Sequence, residues 1–190
     1  MSFVAIVLAA GSATRFGSDK LSAPFAGDPL LHHAIRAARA APVARVIVVT
    51  RPGLTIGDWP GAPVVEVVPV ASTALPDSLK AGIAAASGCD GAFVFLGDMP
   101  LVPHAIASDL AAHLGETYAV RPRQGGRPGH PVLLSRRALD DIADLSGDEG
   151  AGRLLRSRDD VTLVDCHSPL IHADVDRPED LARLAGEALE

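Results

Sequence analysis

A three-layer α/β fold with a mostly parallel sheet is what this sequence predicts, and three observations predict it. Strand-like and helix-like segments alternate almost from end to end, as in chains built from right-handed β–α–β crossovers. The strand segments are continuous aliphatic runs rather than alternating ones, which is the pattern of strands buried on both faces. Aromatic residues are only 4% of the chain while apolar residues as a whole reach 48%. Small aliphatics must therefore fill the core, which suits helices packed on both sides of a sheet.

The elements follow in order. Phe3–Leu8 is a β-branched and aliphatic run and opens as a buried strand. A Gly-, Ser- and Thr-rich loop occupies Ala9 to Asp19. Leu30 to Ala41 carries helical periodicity, and Pro42 ends it. Val43–Thr50 is the second strand, closed by the turn signal Arg51-Pro52-Gly53. Leu54 to Pro63 reads as loop and Val64–Val68 as the third strand. Leu79–Ser87 is a small-residue helix, and Ala92–Leu96 is the clearest central strand. Pro103–Leu114 is helical with proline near its start, where a missing N–H costs little. Thr117–Arg121 is a strand, and the basic loop Arg123 to Gly129 leads into the apolar run Pro131–Leu134. Helices follow at Arg137–Asp144 and Glu149–Arg156, strands at Val161–Val164 and Ile171–Val175, and a last helix at Pro178 to Ala188. No repeat or long linker divides the chain, so residues 1–190 read as one domain.

Charge and cysteine usage narrow the function. The net charge is −6 and the basic residues are scattered, whereas a nucleic-acid binder would carry a basic face. Small anionic substrates are the expected partners. The two cysteines, Cys89 and Cys166, have neither metal-ligand spacing nor a disulfide framework. The first apolar run is too short to span a bilayer and has no basic segment before it, so the chain reads as cytoplasmic, with no membrane partner.

Ligands of parallel α/β sheets sit beyond the carboxyl ends of the strands, and unusual segments fall there. The first is Leu8-Ala9-Ala10-Gly11-Ser12-Ala13-Thr14-Arg15-Phe16-Gly17-Ser18-Asp19-Lys20. Its glycines let successive amides turn toward an anion, Arg15 offers a planar fork and Lys20 a point charge. Neither the dinucleotide glycine spacing nor the Walker A pattern is present. The second is Gly97-Asp98-Met99-Pro100, which follows an apolar strand directly. Asp98 is there equally a ligand for a hard divalent cation and a turn or helix-capping residue. The third is Asp174-Val175-Asp176-Arg177-Pro178-Glu179-Asp180-Leu181; Glu179 and Asp180 suit the start of the last helix.

The pattern L-A-A-G-x-x-x-R-F-G-x-x-K from Leu8 to Lys20, followed by Gly-Asp-x-Pro, resembles the MobA-like NTP transferases. That resemblance implies a Rossmann-like nucleotidyltransferase version of the fold. It implies that Leu8, Ala9, Ala10, Gly11 and Ser12 lie against the nucleotide, with Arg15 and Lys20 on its phosphates and Asp98 as the Mg²⁺ ligand. Asp174 or Asp176 would lie across the cleft as a further metal ligand. Ser78 falls where the family approaches the nucleotide. Gly126-Arg127-Pro128-Gly129-His130-Pro131-Val132 and Leu145-Ser146-Gly147-Asp148-Glu149-Gly150-Ala151 are similar to segments of the molybdopterin cytidylyltransferase branch. By that resemblance Arg127, Gly129 and His130 face the acceptor. The implied reaction is transfer of a nucleoside monophosphate from CTP, with Mg²⁺, to molybdopterin, with a molybdoenzyme then receiving the product. A GTP-using guanylyltransferase, a relative acting on a sugar or other metabolite phosphate, and a non-catalytic nucleotide-binding module are the alternatives.

Overall fold

The computed structural model describes residues 1–11, 16–17, 19–145 and 151–187. β1 (Phe3–Ala9) leads through a short hairpin, β2 (Pro24–Phe25) and β3 (Asp28–Pro29), into α1 (Leu30–Ala40). β4 (Arg45–Thr50), β5 (Val64–Pro69), α2 (Leu75–Ala85), β6 (Gly91–Leu96) and α3 (Ile106–Ala112) follow. Then come β7 (Ala119–Gln124), β8 (Arg127–Pro128), β9 (Val132–Ser135), α4 (Arg136–Asp144), α5 (Ala151–Arg156), β10 (Val161–Asp165) and α6 (Pro178–Glu187).

The main sheet runs β10-β7-β9-β6-β1-β4-β5, with β8 paired to β7. β1 lies parallel between β4 and β6, and Ile6 is level with both Ile47 and Val94. Every residue of β1 is buried, which accounts for its unbroken apolar sequence. Ala5, Val7 and Ala9 point to the side carrying α1 and α3, while Val4, Ile6 and Leu8 point to the side carrying α2 and α4. The two faces give two apolar layers, the three-layer arrangement expected from the sequence.

Pro131–Leu134 becomes β9, the reversed strand between β6 and β7. The reversal starts at Gly125-Gly126, both with positive φ (57° and 80°), joining β7 to β8 as a two-residue turn. The expected strand over Ile171–Val175 is not formed. Pro169–His172 is instead a 3₁₀ turn, with the Ser168 side chain accepting from Leu170 N and proline in the first turn. The carbonyl of Ile171 accepts from His130 N at 3.0 Å, so this segment braces the site and joins no ladder. The small-residue helix begins at Leu75 rather than Leu79, because Pro76 fits a first helical turn.

A third apolar cluster joins distant parts of the chain. Phe16, Phe25, Leu30, Val175 and Leu184 pack together between the hairpin and α6. It anchors both the end of the first loop and the Asp174–Asp176 segment.

Candidate active site

The adjacent ends of β1 and β6 form the floor of the site. Gly97 N donates to the Leu8 carbonyl at 2.9 Å, drawing the turn after β6 over the end of β1. A Cβ at Gly97 would stand 3.0 Å from both that carbonyl and Leu31 Cδ1, so a side chain there would push the two ends apart. The close approach sets Asp98 beside Leu8–Gly11.

Lys20 closes the other side from the turn at Lys20–Ser22. Its Nζ donates to Asp98 Oδ2 at 2.8 Å and to the Val175 carbonyl at 2.5 Å, with Asp176 Oδ1 at 3.8 Å. Val175 N in turn donates to the Asp98 carbonyl at 3.0 Å. The Lys20 side chain is 11% exposed, against 27% for Asp98 and 50% for Asp176. The ammonium is therefore enclosed, while both carboxylates keep an open edge. Asp98 pairs with Lys20 and stands well before α3, so it is not the cap of that helix. Asp180 Oδ2 accepts from Asp176 N and Arg177 N at 3.0 and 2.9 Å, opening α6 and steadying the Asp176 backbone.

Burial first, then the neighbouring carboxylates of Asp98 and Asp176, holds the Asp174 carboxyl above its ordinary range. Three carboxylates thus crowd around one lysine. Among the described residues, no three His, Cys, Asp or Glu side chains converge as a complete metal cage. Mg²⁺ rarely uses such a cage, taking one or two carboxylates together with substrate phosphates and water. Asp98 and Asp176 fit that need.

Both line a cleft of about 320 Å³, together with Leu8, Ala9, Ala10, Gly11, Lys20 and Ser78. Among the described residues nothing approaches within 4 Å of where a Gly11 Cβ would stand. Ser78 is buried and its hydroxyl donates to the Ala74 carbonyl at 3.1 Å, leaving it a wall residue. Ser12 and Arg15 lie outside the described residues, as do positions 146–150 of the Leu145–Ala151 segment. Thr73 and Leu21 also line the cleft; neither carries a chemical signal in the sequence.

A second cavity of about 170 Å³ adjoins the first, sharing Leu8, Leu75 and Leu96 as walls. His130 and Arg121 line it among aliphatic side chains. Burial first, then the Arg121 charge, pushes His130 down to about 4, so the imidazole is neutral at pH 7. Gly129 holds the turn before it closely, since a Cβ would come within 2.6 Å of the Ile171 carbonyl. Arg127 is exposed on β8 and borders neither cavity. Arg121 was not singled out from the sequence; its signal is one charge set inside the buried strand Ala119-Val120-Arg121-Pro122. Cys89 and Cys166 are free thiols, and among the described residues no helix is long and apolar enough to cross a membrane.

The model of the MobA-like NTP transferase domain matches residues 5–161. The purine catabolism protein PucB of Bacillus subtilis (strain 168) is 29% identical over 166 residues, covering 81% of this chain and 80% of that protein. The solved Rv0371c homolog from Mycobacterium sp. strain JC1 superposes with a TM-score of 0.84 at 27% identity, covering 98% of this chain and 96% of that one. A manganese complex of Rv0371c from Mycobacterium tuberculosis H37Rv superposes at 0.80 with 25% identity, covering 98% and 99%. The chain belongs to the MobA-like NTP transferase domain family of nucleotidyltransferases.

Proposed function

We propose that the protein is a Mg²⁺-dependent nucleotidyltransferase that moves a nucleoside monophosphate from an NTP onto a phosphorylated acceptor. CTP is the favoured donor and molybdopterin the favoured acceptor, from the Gly129-His130-Pro131-Val132 and Gly147-Asp148-Glu149-Gly150-Ala151 segments. The observation that carries the reading is the cluster of Lys20, Asp98 and Asp176 at the wall of a cleft floored by the Leu8–Gly11 backbone.

The reaction is a single substitution at phosphorus. A phosphate oxygen of the acceptor forms the new bond to the α-phosphorus as the bond from α-phosphorus to the bridging oxygen breaks. That electron pair leaves on pyrophosphate. Mg²⁺ held by Asp98, with Asp176 or Asp174 across the cleft, would supply charge neutralisation along the triphosphate. The protein's own residues bind and orient. Lys20 fixes Asp98 against the Val175 backbone, so the carboxylate meets the nucleotide already positioned, which is how preorganised electrostatics lower a barrier. The amides of Ala10 and Gly11 and the Arg15 guanidinium take the phosphates, Ser78 walls the nucleotide side, and His130 and Gly129 face the acceptor.

Pyrophosphate release from an NTP in the presence of acceptor tests this reading. Asp98→Asn is expected to abolish release while keeping nucleotide affinity measured without Mg²⁺ within a few-fold. Full activity in that variant would remove Asp98 from the mechanism. Binding without any release would make the chain a nucleotide carrier.

A further inference from the structure

The smaller cavity holds charge in a place where proteins seldom leave it unpaired. Arg121 lies in β7 among Leu8, Val94, Leu96, Val132 and Leu134. Among the described residues its Nε is buried without a hydrogen-bond partner, and the hydrogen bond it makes is a long one, from NH2 to the Gly129 carbonyl at 3.4 Å. The guanidinium of Arg156 sits close enough to oppose its charge, with one terminal nitrogen over Gly152 at the cavity rim. Among the described residues no carboxylate pairs with Arg121. The neighbouring His130 is neutral, and among the described residues its Nδ1 is also buried without a partner. A half-buried cation with an idle donor in an apolar cavity, opposed by a second cation at the surface, is unfavourable for folding alone. An anion entering the cavity would relieve both, and a carboxylate matches the planar donor fork.

We infer that this cavity binds a second acidic group of the acceptor, a carboxylate carried on an apolar body, with Arg121 as its principal anchor and Arg156 at the rim. The inference rests on reading the adjoining cleft as the site of nucleotidyl transfer. It does not depend on molybdopterin as the acceptor. The shared walls Leu8, Leu75 and Leu96 let one molecule present its phosphate to the cleft and its acid to the cavity. At about 170 Å³ the cavity suits such a fragment and not a whole nucleotide. His130 Nδ1, a lone-pair acceptor in the neutral ring, would accept a hydrogen bond from a hydroxyl beside that acid.

The test uses the full chain and two ligand series, measured by calorimetry. One is a set of ω-phosphonooxy carboxylates of two to six carbons; the other is the matching alkyl phosphates without the carboxylate. The wild type is expected to bind at least one carboxylate member tenfold or more tighter than its alkyl partner. Arg121→Met is expected to erase that preference while leaving affinity for alkyl phosphates and for NTPs in place. Equal affinity for the two series, or a preference that survives Arg121→Met, overturns the inference. If the preference is instead lost only when NTP is added, the acid site belongs to the nucleotide's own phosphates and the inference is likewise overturned. Absence of NTP binding with the carboxylate preference intact would defeat the nucleotidyl-transfer reading and leave the acid site standing.

Discussion

The cleft above β1 and β6 and the cavity beside it share three walls, yet they handle charge in opposite ways. In the cleft, Lys20 is matched by Asp98 and Asp176 and by the Val175 carbonyl. In the cavity, Arg121 is matched among the described residues by one long contact to a carbonyl and opposed by Arg156. A satisfied cluster can hold a catalytic carboxylate at a fixed position before substrate arrives. An unsatisfied one stores binding potential that a ligand releases, at the expense of the protein's own stability. Substitutions in the two regions should therefore fail differently.

The largest effect is expected at Asp98. Asp98→Asn should lower pyrophosphate release by on the order of a thousandfold, the scale of losing a preorganised electrostatic group, and melting temperature should change little. A similar drop in melting temperature and in activity would recast Asp98 as structural.

His130 comes next, on stability rather than turnover. Its folded value is about 4 against an ordinary 6.5. The unfolded chain therefore binds more protons across that window, and stability must fall as pH drops from about 6.5 toward 4. The loss from this group reaches up to about 3 kcal/mol at the acid end. Arg121, His172, Asp98 and the Val94 carbonyl act on the ring, and all four are present in both proteins in a comparison of wild type with His130→Gln. Denaturant unfolding at pH 7, 6 and 5 should show a shallower acid loss in the variant; parallel curves would contradict the buried, neutral imidazole.

Val175→Ala probes the apolar anchor behind the cleft. Val175 is wholly buried among Phe16, Phe25, Leu30 and Leu184. Truncation should cost about 1–3 kcal/mol through lost burial and the remaining cavity. Because the Val175 backbone also receives Lys20 and donates to Asp98, turnover should fall too, unlike at other core positions of equal cost. Arg121→Met carries the smallest stability change, within about 1 kcal/mol of wild type or on the stabilised side, since an apolar side chain replaces a half-buried cation that pairs with no carboxylate among the described residues. A large destabilisation there would mean that the guanidinium is structural.

The two regions were also unequally legible in the sequence. The cleft is written in local signals: a glycine-rich loop after an apolar strand, then Gly-Asp at the end of another. Asp98 and Lys20, 78 positions apart, meet because parallel strands bring their carboxyl ends to one edge. The cavity is written in long-range packing. Arg121 looks like one charge in a strand until β9 is seen to reverse between β6 and β7 and enclose it. The expected strand at Ile171–Val175 failed for a related reason: its apolar residues are used to brace the His130 turn and fill the third cluster, not to join a ladder. Ser168-Pro169 marks that turn. Leu79 reads as a helix start because the small-residue run begins there, whereas proline at position 76 sets the first turn upstream.

Calorimetric titration of the intact protein with CTP, GTP, ATP and UTP, each with and without Mg²⁺, distinguishes the outcomes. Selective binding of CTP is expected, strengthened by Mg²⁺ in the wild type and no longer strengthened in Asp98→Asn. GTP selectivity would keep the mechanism and replace the donor; failure to bind any of the four nucleotides would rule out nucleotidyl transfer by this protein.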